Sequence, residues 1–285
     1  MILKQVYLES VQRLAEAGVV EPEIEAALLL GHVLSYSRTQ FFLAMGQKIS
    51  PPHLFLFNKL LSRRILREPL AYLTGEQEFW SLPFLVSPKV LIPRPETEEL
   101  LEKIFATVRQ DGLPSGPVLD LGVGSGAITV VLARELPDRL VFGVDLSLAA
   151  LGVARENIGR HQVKPRVFLV NGDWLTAIGQ EKRFALVVSN PPYINAGAME
   201  GLQPEVRDFE PHLALNGGVD GLFDIRALAA QVHKVLRVGG LFFMEIGADQ
   251  QEAVLKIFSC FPEYDRLQVH SDLAGLPRIF QARRC

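Results

Sequence analysis

Cysteine is nearly missing: the 285 residues hold only Cys260 and Cys285, far apart and without paired Cys/His spacing, which excludes a disulfide framework and a zinc site of ordinary pattern. The six histidines, His32, His53, His161, His212, His233 and His270, are scattered without paired metal spacing, so no metal is expected. No uncharged apolar run approaches the roughly 18 residues of a membrane-spanning helix. The first stretch, broken by Lys4, Glu9, Arg13 and Glu16, lacks the apolar core of a signal peptide. Positive charge is not in excess either: 29 Lys and Arg against 32 Asp and Glu give a net charge of -3, the opposite of a nucleic-acid footprint. Arg63, Arg64 and Arg67 form one local basic patch, read as a solvated helix face rather than a phosphate contact. Repeats and low-complexity tracts are also missing. The resulting expectation is a cytoplasmic protein with no membrane partner and no direct nucleic-acid partner.

What is present is apolar residues, 48% of the chain, enough for a sizeable core without staples. Residues 1–75 show helical spacing. Val6, Val11 and Leu14 mark a first helix, Pro22 opens a second through Leu28, Leu29 and Val33, and a third runs from Pro52 to Arg67. Three such helices, each with one apolar stripe, predict a small all-α bundle. Leu54-Phe-Leu-Phe57 is read as core rather than a docking patch. Residues 76–94 read as a linker with a short hairpin or edge strand over Glu78 to Val86, Pro83 inside it. From 95 to 285 a second domain begins at a helix opened by Pro95. Apolar strand runs then alternate with helices: Pro117 to Leu121, Leu140 to Val144, Arg166 to Val170, Phe184 to Ser189 and Leu241 to Ile246. That alternation predicts an α/β domain with a mostly parallel sheet covered on both faces, its ligands bound beyond the carboxyl ends of the strands.

The first strand ends in Asp120-Leu-Gly-Val-Gly-Ser-Gly126 and opens a helix, so that Gly122, Val123, Gly124, Ser125 and Gly126 bring backbone and a helix N-terminus close to a ligand. Asp145, at the end of the second strand, stands where a carboxylate accepts from ribose hydroxyls. A dinucleotide site makes the same demands, and Gly122, Gly124 and Ala127 satisfy the looser nicotinamide fingerprint. A tight turn with Asp145 capping the next helix is a third reading. Asp173-Trp174 follows the third strand, where a carboxylate can accept from an adenine amino group. Trp174 taken alone reads as a core aromatic.

Asn190-Pro191-Pro192-Tyr193 directly follows the fourth strand. Proline has no N–H and fixes its own φ, so this turn holds rigid acceptors with few competing donors. A planar amide or a ring amino group has two N–H bonds to give; the Asn190 side-chain oxygen and the Pro191 carbonyl can take one each, with Tyr193 stacked on the flat group. An amide nitrogen is a poor nucleophile, its lone pair tied up in a conjugation that sets a rotation barrier of ~18–20 kcal/mol. Such a site works by positioning and by stabilising positive charge developing on that nitrogen as a methyl group arrives.

With these motifs the chain resembles the protein-(glutamine-N5) methyltransferases of peptide-chain release factors, the PrmC or HemK family. The likeness extends to Leu91-Ile-Pro-Arg-Pro-Glu-Thr-Glu98, Glu205-Val-Arg-Asp-Phe-Glu-Pro211, Leu213-Ala-Leu215 and Asp272-Leu-Ala-Gly275. The resemblance implies a Rossmann-like class I methyltransferase domain with a seven-stranded sheet behind a helical substrate-binding domain. It implies methyl transfer from S-adenosylmethionine to the glutamine of a Gly-Gly-Gln loop, leaving S-adenosylhomocysteine. By position, Gly122 to Gly126, Asp145, Asp173, Trp174 and Asn190 would bind the cofactor, while Asn190, Pro191, Pro192 and Tyr193 would take the glutamine, with Asn190, Pro191 and Tyr193 catalytic. Val123 stands where a small polar residue is commoner, and Glu96 where Asp is frequent. The strongest rival is an adenine-N6 methyltransferase acting on DNA or RNA, whose substrate presents the same two N–H bonds; the acidic balance and the lack of a second basic module stand against it. A nicotinamide oxidoreductase leaves the Asn190 turn without a purpose, and a non-catalytic adaptor leaves both intact ligand motifs without one.

Overall fold

A computed structural model describes residues 1–179, 181 and 183–285. The chain divides into two compact units, residues 1–76 with 203–209, and residues 77–202 with 210–285.

The first unit is helical: α1 (Leu3–Glu16), α2 (Pro22–Leu34), α3 (Arg38–Leu43), α4 (Pro51–Ile65) and α5 (Leu70–Thr74). Proline in the first turns of α2 and α4 sets φ where no N–H is needed. Ser37 caps α3 in a reciprocal box with Gln40. Leu14, Leu29, Leu30, Phe41, Phe57 and Leu61 close the core. The sequence reading counts three helices because α3 and α5, six and five residues long, are too short for a periodic pattern to emerge.

Two expectations about this unit are corrected. Arg64 is buried rather than solvated: its guanidinium pairs with Glu25 and, at 2.8 Å, with Glu205, while Arg67 bonds both Glu205 oxygens at 2.7 Å. Burying a guanidinium demands compensation, and two carboxylates supply it. Leu54 to Phe57 splits with helical phase, Phe57 fully buried and Phe55 76% exposed.

The second unit opens with a hairpin begun at the unit boundary, β1 (Glu76–Phe79) and β2 (Leu82–Leu85), turned through Trp80 and Ser81, both at positive φ. Then come α6 (Pro95–Asp111), β3 (Val118–Leu121), α7 (Ala127–Glu135), β4 (Val141–Asp145), α8 (Leu148–Arg160), β5 (Val167–Asn171) and β6 (Phe184–Ser189). After α9 (Pro204–Phe209), which belongs to the first unit, follow α10 (Phe223–Val235), β7 (Leu236–Glu245), α11 (Gln251–Ser259), β8 (Tyr264–Ser271) and β9 (Pro277–Arg284). The seven-stranded sheet has the order β5-β4-β3-β6-β7-β9-β8, parallel except where β9 runs against its neighbours. β3 and β6 are buried along their whole length, as strands covered on both faces must be. Successive residues serve opposite faces: Phe243 packs with α6 and α7, Phe242 with α10 and α11. The antiparallel β8–β9 pair escapes the sequence reading because half-exposed β8, with Asp265 and Arg266 in it, carries no apolar run. Among the described residues no helix is long and apolar enough to cross a membrane.

Candidate active site

The chain winds from β3 outward through β4 and β5, then crosses to β6 on the other side of β3. The crevice between β3 and β6 is therefore the topological switch point, where open α/β sheets bind ligands. Parallel pairing places Leu121 beside Ser189, so the glycine loop after β3 and the Asn190 turn after β6 leave the sheet side by side. A cavity of about 630 Å³ opens there, lined by Gly122 to Ser125, Asp145, Asp173, Trp174, Asn190 and Pro192.

Gly122, Gly124 and Gly126 have φ of 84°, 54° and 85°, a left-handed path that side chains resist. A Cβ at Gly124 would meet nothing within 4 Å, so the bare backbone faces open cavity. The loop is anchored from behind. Asp145 Oδ2 accepts the Gly124 N–H at 2.8 Å, and its Oδ1 accepts the Ser147 N–H at 2.8 Å. Burial raises the Asp145 pKa, and these two backbone bonds oppose the rise. Asn157, fully buried on α8, donates to the Ser125 carbonyl at 2.8 Å and exchanges two bonds with the Leu85 backbone, tying β2 to the loop. The Val123 side chain points into a small cluster with Leu151 and Ala154. Asp120 is wholly buried beneath the loop. Its Oδ2 accepts from Thr129 while Oδ1 has no partner among the described residues, and burial pushes its pKa up to about 7.

Asp173 is exposed at the mouth of the cavity. Trp174 is a wall rather than pure core: its indole N–H donates to Asp224 of α10 at 2.9 Å, and its φ is 46°.

Around the Asn190 turn the backbone is clamped from outside. Gln250 donates to the Tyr193 carbonyl at 3.0 Å and to the Gly221 carbonyl at 3.1 Å, while Ile194 exchanges backbone bonds with Leu215 and Gly217. Pro191 is buried, and neither it, Tyr193 nor Gly126 lies among the cavity-lining residues. The Tyr193 hydroxyl turns inward and donates to Glu245 at 3.0 Å; burial pushes its pKa well above the usual phenol value. Asn190 Nδ2 donates to Thr97 Oγ1 at 3.1 Å, and that hydroxyl donates to Glu245 at 2.7 Å.

Residues 5–75 match the PrmC N-terminal domain, and residues 97–207 match the methyltransferase small domain. The release factor glutamine methyltransferase of Moorella thermoacetica is 43% identical over 284 residues, covering 100% of this chain and 99% of its own. The chain belongs to this methyltransferase family. The release factor glutamine methyltransferase of Caulobacter vibrioides is 40% identical over 258 residues, covering 90% of this chain and 88% of its own. A methyltransferase structure from Pyrococcus furiosus superposes with a TM-score of 0.51 over 78% of this chain and 96% of its own, a likeness of fold at 17% identity.

Several side chains that shape the site carry no obvious signal in the sequence. Thr97 sits inside the Leu91 to Glu98 segment, marked by the family resemblance but without a role. Glu245 gave one clue, a lone carboxylate within the apolar run Leu241 to Ile246, since a buried charge needs partners. Asn157, Asp224 and Gln250 lie in ordinary helices and caps.

Proposed function

We propose that the protein transfers a methyl group from S-adenosylmethionine to the side-chain amide nitrogen of the glutamine in the Gly-Gly-Gln loop of a peptide-chain release factor. The observation that carries this reading is the placement of Asn190 beside the glycine loop at the switch point, in a chain of the release factor glutamine methyltransferase family.

The cavity suits the cofactor by its donor set. The bare backbone at Gly124 admits close approach, and a volume of about 630 Å³ is within the range of small-molecule sites. Asp145 keeps lone pairs beyond those given to Gly124 and Ser147, and these would accept from ribose hydroxyls. Asp173 and Trp174 would hold the adenine, and Gly122 to Gly126 the remainder. When bound, the cofactor supplies a methyl group activated by a sulfonium.

The chain's own part is to hold the acceptor nitrogen. Asn190 Oδ1 and the Pro191 carbonyl would take the two N–H bonds of the glutamine amide, fixing the nitrogen's position and favouring positive charge on it. As the methyl bond forms on the nitrogen, one of its two N–H protons is released to solvent, leaving a neutral secondary amide. The helical unit would help to hold the release factor. Mass spectrometry of a release factor incubated with enzyme and cofactor tests the reading: one methyl on the loop glutamine supports it, and an unmodified glutamine rejects it.

A further inference from the structure

Glu245 is almost completely buried at the end of β7, yet nothing in the proposed transfer calls for it. Both its oxygens receive hydroxyls, Oε2 from Thr97 at 2.7 Å and Oε1 from Tyr193 at 3.0 Å. Burial raises the Glu245 pKa; the hydroxyls of Thr97 and Tyr193 and nearby Arg278 of β9 oppose the rise and favour the charged form, and Glu96 of α6 adds to it. Arg278 is held by Asp272, which accepts the backbone N–H groups of Ala274 and Leu276 in the Asp272 to Gly275 turn.

A threonine hydroxyl has one proton. While Glu245 is ionised, it can only accept, so Thr97 spends that proton on Glu245 and offers Asn190 a lone pair. The atom of Asn190 facing Thr97 must then be the amide nitrogen, whichever way the two ends would otherwise be assigned. Nδ2 turned to Thr97 leaves Oδ1 to the cavity, the orientation that accepts an N–H. A neutral group at 245 removes that constraint: with its donor turned to Thr97, Thr97 can donate to Asn190, and the amide can turn its NH2 toward the cavity, where it repels the N–H bonds of the substrate.

We propose that Glu245, acting through Thr97, is the positioning device that sets the amide orientation of Asn190 and so makes the turn an acceptor. This rests on the methyl-transfer reading above. The device explains why Thr97 stands in the third position of α6 and why a carboxylate is tolerated inside an apolar strand. Tyr193, on the second oxygen of the same carboxylate, is fixed by it too, so one buried charge orders both ends of the Asn190 turn.

Glu245→Gln and Thr97→Val are near-isosteric and test the device at both links. Turnover on the release factor should fall roughly 100-fold in Glu245→Gln, the loss typical of one misdirected transition-state contact. It should fall about 10-fold or more in Thr97→Val, which frees the amide to take either orientation, and Thr97→Ser should recover most of that loss. The KM for the release factor and the dissociation constant for S-adenosylmethionine should stay within about threefold, since neither link touches the cofactor. A second readout needs no substrate. The Asn190 side-chain amide resonances, assigned by their loss in Asn190→Asp, should stay put in Thr97→Ser and move in Thr97→Val and Glu245→Gln. Wild-type turnover in both Glu245→Gln and Thr97→Val, or amide resonances unchanged in both variants, overturns the proposal. An inactive wild-type enzyme would reject the methyl-transfer reading instead, and the resonances would still decide the orientation.

Discussion

The Ser189 hydroxyl donates to the Leu121 carbonyl over 2.9 Å, locking together the last residues of β6 and β3. Beyond that bond the two strands release Asn190 and Gly122 into one crevice, where a Cβ on Gly122 would stand 3.6 Å from the Asn190 carbonyl oxygen. The site is thus a product of register. Slipping β3 against β6 by one residue would turn their side chains to the opposite faces and part the glycine loop from the turn.

Asn190→Ala should lower turnover by about 10²–10³-fold, the cost of deleting one directed transition-state contact. Cofactor affinity should hold near the wild-type value, because Asp145 and the glycine loop remain. Steady-state kinetics paired with calorimetry checks both halves; unchanged turnover would remove Asn190 from the chemistry.

Asp145→Ala acts on the other partner. It removes the proposed ribose acceptor and orphans the Gly124 and Ser147 N–H groups, so cofactor affinity should drop by roughly 10- to 100-fold, the worth of one charged hydrogen bond at ~1.5–3 kcal/mol. Equal dissociation constants in calorimetry would misplace the ribose.

Asp120 makes the free protein's stability depend on pH. Its folded pKa is raised from 3.8 to about 7, chiefly by burial. The folded state therefore holds a proton that the unfolded state releases. The stability this confers is full below about pH 4 and is lost as pH rises through about 7, at up to ~1.4 kcal/mol per pH unit. Over that window the wild type should lose melting temperature relative to Asp120→Asn, and the two profiles should run parallel above it. Parallel profiles throughout would contradict the assignment.

Gly221 has φ +73°, and a Cβ there would lie 2.4 Å from the Tyr193 carbonyl oxygen. Gly221→Ala should cost ~2 kcal/mol or more, through strain and through displacement of the Asn190 turn. Gly46→Ala, where a Cβ meets nothing within 4 Å, should change stability by less than ~0.5 kcal/mol. Thermal melts of the two variants make the comparison.

Much of this arrangement was legible in the sequence because it is local. The runs before Gly122, Asp145, Asp173 and Asn190 announce strands, and each motif sits at a strand's carboxyl end, so a parallel sheet must bring them to one edge. What the sequence withholds is contact between distant segments. Thr97 and Glu245 are separated by 148 residues and meet only once α6 packs on β7. Arg64 reads as a surface charge on helical spacing, and only the fold brings Glu25 and Glu205 to it. The Leu54 to Phe57 run looks uniformly apolar until helical phase divides it between core and solvent. Tyr193 reads as a stacking ring for substrate, and nothing in the sequence signals that its hydroxyl donates to Glu245.

The most direct test of the central claim is transfer of labelled methyl from S-adenosylmethionine to a purified release factor, to its loop Gln→Ala variant, and in parallel to DNA and tRNA. Label on the intact factor alone is the predicted result. Label on the Gln→Ala variant or on nucleic acid would contradict the account, leaving the fold in place and handing the Asn190 turn to a different nitrogen.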